Sequence, residues 1–434
     1  MFEPSKCWVL WDASQLWGIL VIHALKAFDI PFRVVSIKEI TQELNSDKRP
    51  NLLIVPGGTA RLKSQALGQT GKQAILSFVA TGGNYLGFCG GAGLGLNNKN
   101  TLGLCPWERE TIADRLQHLV SGYMLTDLNH QHELVPKTIK NAPDASQTCS
   151  PLPIWYPGRF GTNTSHTNFN QNNPINQSKV EVLAAYNSAG PDFRVADLAL
   201  SSLPKGTLQA WEKEYGICIG SGFMQQQPCI VHGKYGQGSY TLSYSHLETP
   251  ASPSANLFFS HLLEKLAELK VGQNIIEKWN IAEMPLVWHE KTLEKARLII
   301  QDLFNLGFEH YLFYERSSWL IGWKTGIPGA NMNNLRIALA VLLSEEPSQA
   351  MLKKWSELKH EFETDLELFH KNVTHLLLAE RLAGTLAKTA PEAIRLAELQ
   401  AKRLELFGHP MEGGGLYLKL WTKLDALLRA KWIN

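Results

Sequence analysis

Strong net charge is the first thing this 434-residue chain lacks: 42 lysines and arginines stand against 40 aspartates and glutamates, leaving a formal +2. A balance this even gives no general field to gather nucleic acid or anionic lipid, so neither a nucleic-acid nor a membrane partner is expected. Cysteine is sparse as well. Cys7, Cys89, Cys105, Cys149, Cys218 and Cys229 are scattered, with no Cys-x-x-Cys pair and no zinc-like cluster with histidine. They read as reduced thiols, and neither a metal nor a cofactor is expected. No apolar run reaches membrane-spanning length, and Met1 to Lys6 lacks the basic region and apolar core of a signal peptide. A cytoplasmic location is therefore expected.

Two nucleotide-binding signatures are also missing. Gly68-Gln69-Thr70-Gly71-Lys72 is too short for a P-loop, and Gln73 stands where the hydroxyl belongs. Gly91-Ala92-Gly93-Leu94-Gly95-Leu96 fails the dinucleotide spacing because Leu96 occupies the third glycine position.

What is present is enough apolar material, 44% of residues, for sizeable cores in a chain too long for one ordinary domain. The first part alternates strand and helix patterns. Cys7 to Trp11 reads as a strand, Gln15 to Phe28 as a helix, Phe32 to Ile37 as a strand, and Gly71 to Ala80 as a helix stopped by Thr81-Gly82-Gly83. Such alternation predicts a mostly parallel sheet covered on both faces by helices, a flavodoxin-like α/β arrangement. Val180 to Tyr186, Gly216 to Ile219, Ile230 to His232 and Gly238 to Tyr244 read as further strands. Between them, from about Cys149 to Ser178, prolines mix with Asn and Thr and predict a long loop, either surface decoration or a lid.

The segment from Gly82 through Tyr85-Leu86-Gly87-Phe88-Cys89-Gly90-Gly91 to Leu94 sets one cysteine at a sharp, glycine-flanked turn after a short apolar strand. A nucleophile elbow needs such small neighbours, because bulk beside it strikes the strand or the helix. A buried structural thiol is the other reading of Cys89. Upstream, Asn51 to Val55 is a continuous apolar run ending in Pro56-Gly57-Gly58. Gly57 and Gly58 there would let backbone N–H groups approach a substrate oxygen, with the Gly90 amide as the other side of an oxyanion hole. A plain strand-ending turn is the alternative.

Downstream, the Gly236 to Ser245 strand leads into His246-Leu247-Glu248. A thiol needs a base to form its reactive thiolate, and Glu248 can orient the imidazole only if the chain bends there. His232, before a Gly-Lys-Tyr-Gly turn, is a weaker candidate for the base. Asp12, after the first strand, is a pocket candidate or a helix N-cap, and His23 reads as packed on its helix.

With these pieces in order, about the first 260 residues resemble the class I glutamine amidotransferase-like superfamily, and within it the N-terminal domain of fungal biotin protein ligases. The resemblance rests on Leu53 to Gly58, Phe78 to Ala92, Gly236-x-Gly238 and His246-Leu247-Glu248. It implies Cys89 as nucleophile, His246 as base, Glu248 as the carboxylate orienting it, and Gly58 and Gly90 as oxyanion donors. Leu247 replaces the family's proline, which relaxes that turn while keeping both side chains. No Gly-Arg-Gly-Arg type loop for a biotinyl adenylate is found, so no ligase core is expected. No ammonia-consuming synthase is fused to the chain, and any acceptor would be a separate protein.

After about residue 260 the pattern turns helical and resembles no family, giving expected domains 1–260 and 261–434, the second all-α. From Ser348 to Ala390, Leu352, Trp355, Leu358, Phe362, Leu366, Phe369, Val373 and Leu376 recur at three- and four-residue steps. Core packing in an antiparallel bundle explains the stripe; a face for a protein partner is the other reading. Gly322 to Gly329 and Met411 to Gly415 read as inter-helix turns, the first with Asn331, Asn333, Asn334 and Arg336 as an alternative anion site. Two functions remain in view. One is a cysteine-dependent amide hydrolase or amidotransferase-like enzyme acting on a small-molecule amide through Cys89, His246 and Glu248. The other is a non-catalytic binding or regulatory protein acting through its helical half.

Overall fold

The computed structural model describes residues 6–110, 119–145, 149–161, 179–272, 275–324, 328–410 and 412–433. It forms two compact units, Met1–Lys278 and Trp279–Asn434. The boundary expected near residue 260 falls inside a helix whose apolar face belongs to the first unit, and the division lies eighteen residues further on.

The first unit opens with β1 (Cys7–Leu10), α1 (Leu16–Ala27), β2 (Arg33–Val35), α2 (Ile37–Glu43), β3 (Leu52–Val55), α3 (Ala60–Ala80), β4 (Asn84–Phe88) and α4 (Gly90–Gly95). It continues through β5 (Glu108–Arg109), β6 (Val120–Leu128), β7 (Ser150–Trp155), β8 (Phe160–Gly161), β9 (Glu181–Ala189), β10 (Arg194–Val195) and β11 (Leu198–Ala199). Then come α5 (Thr207–Tyr215), β12 (Pro228–Tyr235), β13 (Gly238–Ser243) and α6 (Pro253–Ala267). The main sheet has eleven strands in the order β11-β10-β6-β9-β12-β13-β4-β3-β1-β2, with β7 paired to β6. Strands β2, β1, β3, β4 and β13 are parallel, and antiparallel strands from β12 onward extend that flavodoxin-like half.

Period-two geometry explains why these strands read as unbroken apolar runs. Along β1, Cys7 and Val9 face one core with α1 and α6, while Trp8 and Leu10 face the other with α2, α3 and α4. Leu52 and Ile54 of β3 divide from Leu53 and Val55 in the same way. Each fully buried aliphatic side chain contributes about 1.5–3 kcal/mol, so a sheet covered on both faces is where this half finds its stability.

Several local expectations are corrected. The strand expected to reach Ile37 stops at Val35, because Ser36 donates its backbone N–H to Glu39 at 2.7 Å and opens α2. Helix α3 begins at Ala60 rather than Gly71, and Gly68, at φ 57°, kinks it between the two halves. Gly216 to Ile219 is no strand: Gly216 is the left-handed cap of α5, and the Ile219 and Gly220 amides donate to Glu212. The Pro/Asn-rich loop expected over 149–178 is in its first part the buried strand β7, and residues 162–178 lie outside the described residues. Proline is tolerated in β7 because the strand pairs with β6 alone.

The second unit contains α7 (Lys291–Glu309), β14 (Phe313–Ser317), β15 (Leu320–Trp323), α8 (Pro328–Leu343), α9 (Gln349–Leu386), α10 (Leu396–Phe407) and α11 (Gly415–Trp432). It is helical, as expected, around one antiparallel hairpin, and Gly322 and Trp323 belong to a strand instead of an inter-helix turn. Trp323 packs edge-on against Phe313 and Phe407, which anchors the hairpin among the helices. The Asn333 side chain bonds both the N–H and the C=O of Ile321, and Asn334 donates to Tyr417. These amides are spent on the fold rather than on an anion. On α9, Trp355, Phe362, Leu366, Phe369, Val373 and Leu376 are buried, whereas Leu352 is exposed and Leu358 half-buried. The helix packs against α7, α10 and α11, so its stripe is covered within its own unit.

Among the described residues, no helix is long and apolar enough to cross a membrane.

Candidate active site

Three adjacent parallel strands, β3, β4 and β13, end side by side, with Val55 opposite Gly87 and Phe88 opposite Ser243. The segments that follow them are Pro56-Gly57-Gly58, Cys89-Gly90 and Tyr244-Ser245-His246. Sheet register therefore brings together residues far apart in the chain, at the carboxyl edge where α/β sheets place ligands.

Cys89 connects β4 directly to α4 with φ 45° and ψ −102°, a conformation costing a non-glycine residue about 1–3 kcal/mol. Its amide donates to Ser243 O at 2.8 Å, fixing the elbow to β13. The residue is half-buried. Room for the turn is supplied by Gly90, where a Cβ would sit 1.8 Å from the Gly58 carbonyl oxygen. Gly58 itself has φ +102° and lies against the Ala13 carbonyl. Gly57 packs beside Trp17 and within 3.3 Å, by its absent Cβ, of the His246 ring.

His246 and Glu248 are both fully buried, and Nδ1 of the ring meets Glu248 Oε1 at 2.8 Å. The bend that this contact requires is present. Thr249 closes it by donating both its N–H and its hydroxyl to His246 O. Strand β7, the segment expected to be a loop, holds the corner from outside. Pro153 O accepts the His246 amide at 2.9 Å, and Trp155 Nε1 donates to Thr249 Oγ1 at 3.0 Å.

The opposite ring nitrogen, Nε2, has no partner at full hydrogen-bond geometry, nor has Glu248 Oε2. Cys89 acts on the ring as well, by hydrogen bonding and by charge. Burial pulls the imidazole toward its neutral form, but the Glu248 charge, with hydrogen bonding to Cys89 and Glu248, outweighs burial and raises its pKa well above the ordinary histidine value. Trp17 covers the ring with centroids 4.5 Å apart. A held imidazolium beside a thiol favours the thiolate, the nucleophilic form.

Residues 24–100 match the family model "Biotin-protein ligase, N terminal". That stretch runs from α1 through the Pro-Gly-Gly turn to the end of the cysteine elbow, so it contains Gly57, Gly58, Cys89 and Gly90 of the site. No curated protein matches the chain. Among solved structures, PurLQS from Thermotoga maritima is similar at 12% identity and a TM-score of 0.36, over 61% of this chain and 100% of that one. A putative GMP synthase component from Thermoplasma acidophilum is similar at 9% identity and a TM-score of 0.34, over 62% of this chain and 96% of that one. A β-galactosidase from Bacillus circulans sp. alkalophilus is similar at 12% identity and a TM-score of 0.33, and this chain spans 31% of its length.

Asp12 lies outside the thiol–imidazole contact. Its Oδ2 accepts the Ile37 amide at 2.8 Å, which makes it a cap for α2, reached across the β1–β2 pair. His23, on α1, is partly buried and its pKa is pushed down to about 4 by that burial and by Lys26. His232 bonds Thr241 Oγ1 on the neighbouring strand, and burial first, then His132, lower its pKa to about 4. Among the described residues no group of three or more His, Cys, Asp or Glu side chains is placed to hold a metal ion.

Sequence reasoning missed Lys63, which is fully buried beneath the site, and Trp17, which roofs the imidazole.

Proposed function

We propose that the first unit is a cysteine-dependent, glutamine amidotransferase-like amide hydrolase acting on a small carboxamide. The observation that carries this reading is the pairing of a strained, half-buried Cys89 with the unpartnered Nε2 of a fully buried imidazole that Glu248 holds from behind.

The chemistry follows from that pairing. Cys89 Sγ, kept as the thiolate by the His246 imidazolium, attacks the carboxamide carbon, and the carbonyl π electrons move onto oxygen. The backbone amides of Gly58 and Gly90 stabilise the oxyanion, a contribution worth about 3–4 kcal/mol per donor in such sites. The tetrahedral adduct collapses, the C–N bond breaks, and imidazolium gives its proton to the departing ammonia. Water then attacks the thioester with His246 taking its proton, Sγ leaves, and a carboxylate is released. Glu248 remains a carboxylate throughout, orienting the ring and balancing its charge.

Two measurements test the proposal. Site-resolved alkylation with chloroacetamide should label Cys89 faster than the exposed-thiol reagent glutathione at the same pH, and ammonia release from primary carboxamides should accompany it. The Cys89→Ala variant should show neither. A Cys89 that reacts more slowly than free glutathione near neutrality would sink the enzymatic reading.

A further inference from the structure

The mechanism above leaves one buried charged group at the site unused. Lys63 stands in the first turn of α3, where its amide donates to Thr59 O at 3.1 Å, and its side chain is wholly buried. Nζ donates to Asp12 O at 3.1 Å and to Ser14 Oγ at 2.5 Å, and Ser14 passes its own proton to Leu10 O at 2.9 Å. The carboxylate of Asp12, whose Oδ2 accepts the Ile37 amide, acts on it electrostatically. A lysine is rarely buried this completely, and its hydrogen bonds go to a backbone carbonyl and a hydroxyl of the loop after β1.

The ammonium's surroundings indicate what it does. It ties down a loop with unusual backbone: Ala13 and Gln15 have φ of 54° and 51° although neither is glycine. The carbonyl of Ala13 presses on Gly58, leaving no space there for a Cβ. The loop after β1 is thus the backing of the turn that supplies one oxyanion donor. The ammonium also acts electrostatically on Cys89. We propose that Lys63 is a positioning residue of the Cys89 site, which pins the Asp12–Gln15 loop against Gly58 and lends its positive charge to the thiolate. This rests on the reading of Cys89 as a nucleophile and adds a fourth side chain to it.

The stability of such a group has a definite sign. Burial pushes the amine down from 10.5 to about 7, against the pull of Asp12 and Cys89. In that window the unfolded chain holds more protons than the folded one, so Lys63 makes stability rise with pH from about 7 upward, and its cost is complete below about 7. A lysine kept for the site is a trade of stability for function. The other groups around the thiol are His246 and Glu248 from the β13 corner, and Tyr186 and Tyr244, whose hydroxyls burial keeps neutral.

The test compares Lys63→Gln, Lys63→Met and Lys63→Arg in the full chain by the pH profile of chloroacetamide labelling at Cys89. Lys63→Gln keeps donors for Asp12 O and Ser14 Oγ but not the charge. Its labelling limb should move up by about one pH unit, a roughly tenfold slower reaction near neutrality. Lys63→Met should do the same, Lys63→Arg should return the limb toward wild type, and both neutral variants should melt no lower than wild type at about pH 6. A folded neutral variant whose profile superimposes on wild type overturns the proposal. So does failure of both neutral variants to fold, which would make the lysine a strut. A wild-type Cys89 slower than glutathione brings down the enzymatic reading itself, whereas a reactive wild type matched by Lys63→Gln removes only the role of Lys63.

Discussion

Each unit buries a carboxylate against a cationic side chain, and the two pairs are finished differently. In the helical unit both oxygens of Glu380 are taken, one by Trp323 Nε1 at 3.1 Å and the other by the Arg403 guanidinium, which also lies over the Trp323 ring. In the α/β unit Glu248 Oε1 holds His246, but Oε2 and the far ring nitrogen are left without partners, and Cys89 acts on the ring. A closed buried network does structural work, since every lone pair and proton has an answer inside the fold. The second network instead leaves a ring nitrogen open in a site that also holds the half-buried Cys89. Buried polarity alone does not separate the two; the action of Cys89 on the His246 ring does.

Disabling each cation–carboxylate pair should therefore show up in different observables, and this is where the largest effects are expected. His246→Gln keeps an amide to meet Glu248 but removes the imidazole. The labelling rate at Cys89 should fall by about 10³-fold, equivalent to about 4 kcal/mol, while unfolding in urea shifts by less than about 1 kcal/mol. Glu380→Ala should do the reverse, costing about 3 kcal/mol of stability because Arg403 and Trp323 lose a shared partner, with labelling at Cys89 unchanged. If Glu380→Ala slowed Cys89, or His246→Gln cost as much stability as Glu380→Ala, the contrast between a structural and a chemical pair would collapse.

A smaller effect is expected when the carboxylate behind the imidazole is neutralised. Glu248→Gln removes the charge that holds the ring protonated, so labelling at Cys89 should slow by about 10- to 100-fold, or about 1.4–2.7 kcal/mol. The pH dependence has a fixed direction. Because the folded imidazole has a raised pKa, its stabilising share is complete below the ordinary value of 6.5 and is lost as pH rises through the folded value. The difference in melting temperature between wild type and Glu248→Gln should thus be greatest near pH 6 and shrink in alkali. A difference that grows with pH would mean that Glu248 does not hold the ring charged.

What could be read from the chain and what could not divide along the same physical line. Cys89 with its glycine neighbours, Pro56-Gly57-Gly58 and His246-x-Glu248 were legible because turns of this sharpness demand particular residues locally. The alternating α/β order was legible because strands buried on both faces must be apolar throughout. Lys63 was not, since a lysine in a first helical turn reads as solvated, and only the crossing of the loop after β1 buries it. Strand β7 was misread for a related reason. Pro151 and Pro153 break the pattern of a central strand, yet β7 has one neighbour, and a missing amide costs nothing on its open side. The β14–β15 hairpin escaped because Gly322 signals a turn in sequence, whereas in the fold it makes room for the Tyr314 ring.

The finest test of the comparison removes one buried side-chain hydrogen bond from each unit. Trp155→Phe deletes the donor to Thr249 Oγ1 behind the His246 corner, and Tyr417→Phe deletes the acceptor of the Asn334 amide in the helical core. Each bond is buried, so each variant should lose about 1 kcal/mol in urea unfolding. Only Trp155→Phe should also touch chemistry, by about two- to threefold in the labelling rate, because the corner loses one of its two ties to β7 while the bond from the His246 amide to Pro153 O remains. Equal stability losses with unequal effects on Cys89 would show that β7 serves as the backing of the imidazole. If Trp155→Phe left the rate untouched at the same cost in stability, the single backbone bond to Pro153 would suffice to set the ring, and β7 would stand on the structural side of the comparison with Glu380.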